Sequence, residues 1–187
     1  MHKRFSVGVL VLVAAALLAA CGGGTPVESP LPTPPLDSPI PTPAQAAIRP
    51  AGAETCSQMA DLLEQTYNMP VTTAEAPFED FVRGQTGTGC QTTVTGTGVD
   101  FPEGVDSMAM VTAMEGAGWT MDQGYAAGGA QDNLMGFTKG DELCLYLAHW
   151  EPAPEVDCPQ DQPIGACEMT PKQRLWTVTL NCATVSD

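Results

Sequence analysis

Positive charge is scarce in this 187-residue chain: seven Lys and Arg stand against 22 Asp and Glu, for a formal charge of −15. Phosphate backbones are held by clustered Lys and Arg, so nucleic acid is excluded as a partner. The same field favours solubility and repels anionic lipid headgroups. Histidine is nearly missing too. Only His2 and His149 occur, which rules out a multi-histidine metal site and makes His149 the one histidine a triad or general base could use. No G-x-S-x-G elbow is present, and Ser57, Ser107 and Ser186 lack nucleophile-like surroundings. The cysteines never fall in C-x-x-C spacing, which makes a zinc site a poor reading. Nor does any apolar run reach the roughly 20 residues of a membrane-spanning helix. The longest, Val7 to Leu18, has twelve.

That run belongs to a three-part leader. His2, Lys3 and Arg4 give a positive start, the apolar run follows, and the small residues Ala19 and Ala20 precede Cys21. Leu18-Ala19-Ala20-Cys21 resembles the lipobox of bacterial lipoproteins, a resemblance that covers about the first 21 residues. It implies a signal peptide over 1–20 and a diacylglyceryl group on the Cys21 thiol. The membrane is then a partner through that lipid, and the protein sits on the extracytoplasmic side, at the cell surface or in the periplasm. Two or more acyl chains, such as palmitate, hold a protein stably where one alone binds only marginally. Cysteine arithmetic agrees. Seven cysteines would leave one reactive thiol in an oxidising compartment, whereas acylating Cys21 leaves six.

Residues 21–53 read as a lipidated cysteine followed by a proline-rich tether. Gly22 to Pro50 holds nine prolines in 29 residues, with no aromatic residue. Such a composition cannot bury a core, and at about 3.1 Å per residue in polyproline II it could span roughly 90 Å. Every aromatic residue except Phe5 lies beyond it. Residues 54–187 are therefore the head, large enough for one core.

Within the head, Thr55 and Gln58 read as a capping box opening a helix through Cys56, Met59, Ala60, Leu63 and Tyr67, stopped by Asn68 and Pro70. A second helix is predicted to begin near Asp100 to Glu103, with Pro102 in its first turn, to run through Val105, Met108, Val111 and Met114, and to end at Gly116 or Gly118. Strand alternation marks Cys90 to Val94, Trp119 to Tyr125, Leu134 to Thr138, Glu142 to Trp150 and Trp176 to Cys182. "AAGGAQDN", Ala126 to Asn133, and Lys139-Gly140-Asp141 supply turns. The sum is an α+β domain, a mainly antiparallel sheet with two helices on one face, braced by up to three disulfides. Helix-then-strands occurs twice, without a residue-level repeat. Six cysteines allow 15 pairings. Cys158 and Cys167 bracket a short loop and favour a local bridge, Cys144 and Cys182 sit on strands that a bridge could join, and Cys56 and Cys90 remain.

Several stretches invite a chemical reading. "RGQTGTGCQTTVTGTG", Arg83 to Gly98, is glycine-rich but lacks the G-K-[ST] ending of a phosphate loop and reads as bulged strand with turns. "MAMVTAM", Met108 to Met114, offers thioethers to Cu(I), yet Met108, Val111 and Met114 share a helical face as core fillers do. Glu151, Glu155, Asp157 and Asp161 could offer oxygen to Ca²⁺ but lack the EF-hand pattern. Trp119, Tyr125, Tyr146, Trp150 and Trp176 could stack a sugar or peptide. Trp150 at a strand end is the most exposed candidate, with His149 beside it. The expectation is a non-catalytic binding or structural head that needs no cofactor and no metal, its partner an envelope protein, a glycan or a small molecule. A small hydrolase using His149 and a Ca²⁺ or Cu⁺ module are the alternatives, and a transporter's solute receptor would need two larger lobes.

Overall fold

The computed structural model describes residues 48–159 and 161–185. The leader, Cys21, the tether as far as residue 47, and Ser186 lie outside the described residues. The elements in chain order are β1 (Arg49–Pro50), α1 (Ala53–Tyr67), β2 (Thr72–Asp80), β3 (Gln85–Thr97), α2 (Ser107–Gly116), β4 (Thr120–Gly128), β5 (Asp132–Lys139), β6 (Glu142–Pro152) and β7 (Arg174–Thr184). All strand pairings are antiparallel, in the order β2-β3-β7-β6-β5-β4, with β1 beside β7. The domain is the α+β fold that the sequence implies.

Period-2 alternation decides what each face of the sheet covers. On β6, Cys144, Tyr146, Ala148 and Trp150 are buried toward the helices, while the alternate residues Leu145, Leu147 and His149 are only half-buried. Met59 and Leu63 of α1, and Met110, Val111 and Met114 of α2, fill one core against Val94, Phe137, Tyr146, Val178 and Leu180. Each such side chain contributes about 1.5–3 kcal/mol on leaving water.

The helix starts differ from the sequence expectation, each for a physical reason. Because β1 is already paired to β7 and Ala51 N–H donates to the Cys182 carbonyl at 3.2 Å, the chain turns into α1 at Gly52. Thr55 therefore lies inside the helix, and its hydroxyl donates to Glu142 Oε2 at 2.9 Å instead of capping. Asn68, left-handed at φ 52°, ends α1 as expected. The sheet thus begins several residues ahead of Glu54. In α2 the cap is Asp106, whose carboxylate accepts from the N–H groups of Met108 and Ala109, and residues 98–103, including Pro102, form turns. Starting later rotates the buried stripe. Ser107, Met110, Val111 and Met114 face the core and Met108 is 65% exposed, so Met110 takes the place expected for Met108.

The other face is closed at one end by the β2–β3 hairpin. β3 pairs with β7 only as far as Cys90 opposite Cys182; beyond that point β1 occupies the position beside β7. The displaced hairpin bends over the sheet, packing Phe78 with Ile48, Tyr125, Leu143 and Ala183. This explains the glycine-rich stretch: a Cβ on Gly87 would collide with Ile48, and one on Gly89 with Asn181. A bulge in β4 between Asp122 and Ala127 turns Tyr125 onto this second face, away from Met121, which packs against the helix-side core.

Here β2 and β4, at opposite ends of the strand order, meet. Asp80, fully buried, accepts from the Tyr125 hydroxyl at 2.8 Å, from Arg83 N–H at 3.0 Å and from the Arg83 guanidinium at 2.9 Å. Burial pushes the Asp80 carboxyl up, but the hydrogen bonds from Arg83 and Tyr125, with the Arg83 charge, outweigh it and hold the group below its ordinary value. Burial and then Asp80 push the Tyr125 hydroxyl up to about 12.

Three disulfides brace the domain: Cys56–Cys90 ties α1 to β3, Cys144–Cys182 joins β6 to β7, and Cys158–Cys167 closes the loop between β6 and β7. The first two close loops of 34 and 38 residues, each worth about 3–4 kcal/mol in the chain-entropy account.

Candidate functional site

The β4–β5 turn is shaped by its glycines and closed by Gly129 N–H donating to the Asp132 carbonyl at 2.9 Å. It overhangs the adjoining ends of β6 and β7 and the start of α2. Between them lies a groove of about 480 Å³, within the size range of small-molecule sites. Its aromatic wall is Trp150 and Trp176, cross-strand partners whose rings lie 6.4 Å apart at 52°. Ser107, Gln131, Asp132 and Asn133 supply polar lining, and Gly128 to Ala130 present backbone. No Lys or Arg is among the lining residues.

The wall is held rigidly. Trp150 Nε1 donates to the Ala130 carbonyl at 3.0 Å, while the Trp150 carbonyl accepts from Gln131 Nε2 at 3.1 Å. The Arg174 guanidinium lies 4.8 Å from the Trp150 ring centre, a cation–π contact that braces the indole. Phe101 meets Trp176 edge-on at 6.2 Å. Trp176 Nε1 is buried without a hydrogen-bond partner, leaving an indole donor unused beside the groove.

Ser107 connects the groove to a hydroxyl chain. Its Oγ lies 3.2 Å from the Tyr146 hydroxyl, which lies 2.9 Å from that of Tyr67. Tyr67 lines a second hollow of about 340 Å³ on the other side of the loop before α2. Burial raises both tyrosine hydroxyls above their ordinary value; for Tyr67 the neighbouring Tyr146 adds to this, and for Tyr146 the bonds to Ser107 and Tyr67 partly oppose it. The chain therefore stays protonated and offers hydrogen bonds, not a base.

The two candidate ligand residues are separated by the sheet. Trp150 is 7% exposed, not the exposed platform its strand-end position suggests, because the β4–β5 turn and Arg174 cover it. His149 faces the opposite side, where its Nδ1 lies 2.5 Å from Asp132 Oδ1. Of the other aromatics, Trp176 joins Trp150, whereas Trp119, Tyr125 and Tyr146 are buried elsewhere. Met110 and Met114 are fully buried while Met108 points to solvent, so the methionines do not converge. Glu151, Glu155, Asp157 and Asp161 are exposed, and among the described residues no group of three or more His, Cys, Asp or Glu could hold a metal ion. The six head cysteines are all in disulfides. Sequence reasoning missed Ser107, Gln131 and Asn133. The signal that could have found them was a polar glycine turn facing strands that end in tryptophan.

Comparison with protein-family models, with curated proteins and with solved structures finds no match.

Proposed function

We propose that this chain is a lipid-anchored extracytoplasmic protein whose head is a non-catalytic binding module, with its ligand seated in the Trp150–Trp176 groove. The lipobox-like Leu18 to Cys21 supports the anchor. Three disulfides suit an oxidising compartment, and among the described residues no helix is long and apolar enough to cross a membrane. The observation that carries the binding role is the pairing of two indoles with a serine and two side-chain amides in a concavity lined by no basic residue. Indole surface takes apolar ring faces, and amides and hydroxyls take polar ring substituents. A neutral glycan or similar polar ring compound fits this chemistry.

Titrating the protein with neutral oligosaccharides by calorimetry tests the reading. Binding weakened at least about tenfold by Trp176→Ala, in a variant with wild-type circular dichroism, supports it; saccharide binding unaffected by Trp176→Ala and Gln131→Ala refutes the groove as the seat. The anchor has its own test: Cys21→Ala should move the protein from the membrane to the soluble fraction.

One observation favours a second reading. Asp132, His149 and Thr177 are successive cross-strand partners on β5, β6 and β7, so the His149 ring has an orienting carboxylate on one side and a hydroxyl-bearing residue on the other. A hydrolase built on that row would lose turnover of model esters with His149→Ala and keep it with Trp176→Ala.

A further inference from the structure

Register places three cysteines in one row. Cys90 on β3 is the cross-strand partner of Cys182 on β7, and Cys182 is in turn the partner of Cys144 on β6. Cys144 and Cys182 lie in the helix-side core, and the bridge from α1 brings Cys56 down onto Cys90 on the same side. Cys182 therefore has a bonded sulfur on one flank and another cysteine on the other, at a cross-strand Cβ spacing of about 4.5–5.5 Å. The four residues also form an exposure gradient. Cys56 is half-buried, Cys90 is 6% exposed, and Cys144 and Cys182 are fully buried.

We propose that Cys56, Cys90, Cys182 and Cys144 form a thiol–disulfide relay that carries reduction from the surface of α1 to the middle of the sheet. The co-reactant is an external dithiol. Its thiolate attacks Sγ of Cys56, the one residue of the four that is not buried; a mixed disulfide forms and the Cys56–Cys90 bond breaks, with Cys90 leaving as thiolate. Cys90 then attacks Cys182 Sγ. A Cys90–Cys182 bond forms, the Cys144–Cys182 bond breaks, and Cys144 leaves with the electron pair and takes up a proton. The second thiol of the reductant attacks its own sulfur in the mixed disulfide and releases Cys56, which is protonated in turn. Two electrons and two protons have passed from the dithiol, now a disulfide, to the protein, which holds thiols at Cys56 and Cys144 and one bridge between β3 and β7.

The product differs from simple reduction of the accessible bridge. α1 loses its clamp, while the sheet exchanges its β6–β7 staple for one across β3 and β7. Cys158–Cys167 lies on a separate loop and takes no part. Only the thiolate attacks, so the internal step, an uncatalysed disulfide rearrangement of minutes to hours, runs faster at mildly alkaline pH.

The test uses the full-length chain exported into an oxidising compartment. In Cys56→Ser the single unpaired head thiol starts at Cys90; after incubation near pH 8.5, acid quenching, alkylation and peptide mapping should find label on both Cys90 and Cys144, together with a Cys90–Cys182 linked peptide. Label confined to Cys90, with Cys144–Cys182 intact, overturns the relay. Should that variant fail to fold, the Cys158→Ser/Cys167→Ser protein treated with one equivalent of dithiothreitol decides the same question: thiols at Cys56 and Cys144 support the relay, and thiols at Cys56 and Cys90 with Cys144–Cys182 retained refute it.

Discussion

Replacing Asp80 by alanine should cost about 1–4 kcal/mol, and the figure can be assembled from its surroundings. The carboxylate is fully buried and accepts three hydrogen bonds, two from Arg83 and one from Tyr125. Its removal leaves the 1%-exposed Tyr125 with a hydroxyl proton that has no acceptor, worth about 1–3 kcal/mol. Arg83 suffers less: its side chain is 39% exposed, so water replaces the carboxylate at a cost of roughly 1 kcal/mol or below. At a mid-range urea slope of about 2 kcal/mol per molar, the unfolding midpoint falls by about 0.5–2 M. Tryptophan fluorescence and circular dichroism in urea read it directly. Tyr125→Phe alone should cost only about 1 kcal/mol, because Asp80 keeps both Arg83 bonds. The double variant should fall short of the sum of the two, since they remove one shared interaction. A loss below about 0.5 kcal/mol for Asp80→Ala, or strict additivity, would show that the contact between β2 and β4 does not hold the sheet's two ends together.

The same cluster fixes two pH limits. Tyr125, raised to about 12 in the fold from its ordinary value near 10, contributes stability that is complete below pH 10 and lost as pH rises toward 12; urea midpoints at pH 9 and 11 should fall in wild type and stay closer together in Tyr125→Phe. Asp80 acts in the opposite sense: its depressed carboxyl contributes stability above pH 4 that disappears on acidification through its folded value, a loss absent from Asp80→Ala. In α2, Met110→Ala should cost about 2–5 kcal/mol and Met108→Gln less than about 0.5 kcal/mol, and equal costs measured by urea titration would refute the observed helix phase.

Much of this fold was legible because strand alternation is a short-range signal. β5, β6 and β7 follow their apolar residues closely, and Cys144 opposite Cys182 follows from their places on β6 and β7. β2 escaped because it lies at the sheet's edge, contains Pro77, and buries only Phe78 and Asp80, so alternation had little to act on. The phase of α2 escaped because Ser107, a polar residue, starts its buried face, and Met108, Met110 and Met114 suit either phase equally well. The groove was half visible. Trp150 and Trp176 were conspicuous, but their meeting depends on the β6–β7 register, and the polar lining lies in a turn whose only local signal is its glycines.

The position of β1 has a consequence for orientation. The chain joins the folded body where Arg49 pairs with Thr184, at the last residues of β7, whereas Trp176 stands near that strand's beginning. Roughly eight residues of strand, about 26 Å, separate the two. Where the chain enters the fold and where the groove opens thus stand at opposite ends of a single strand.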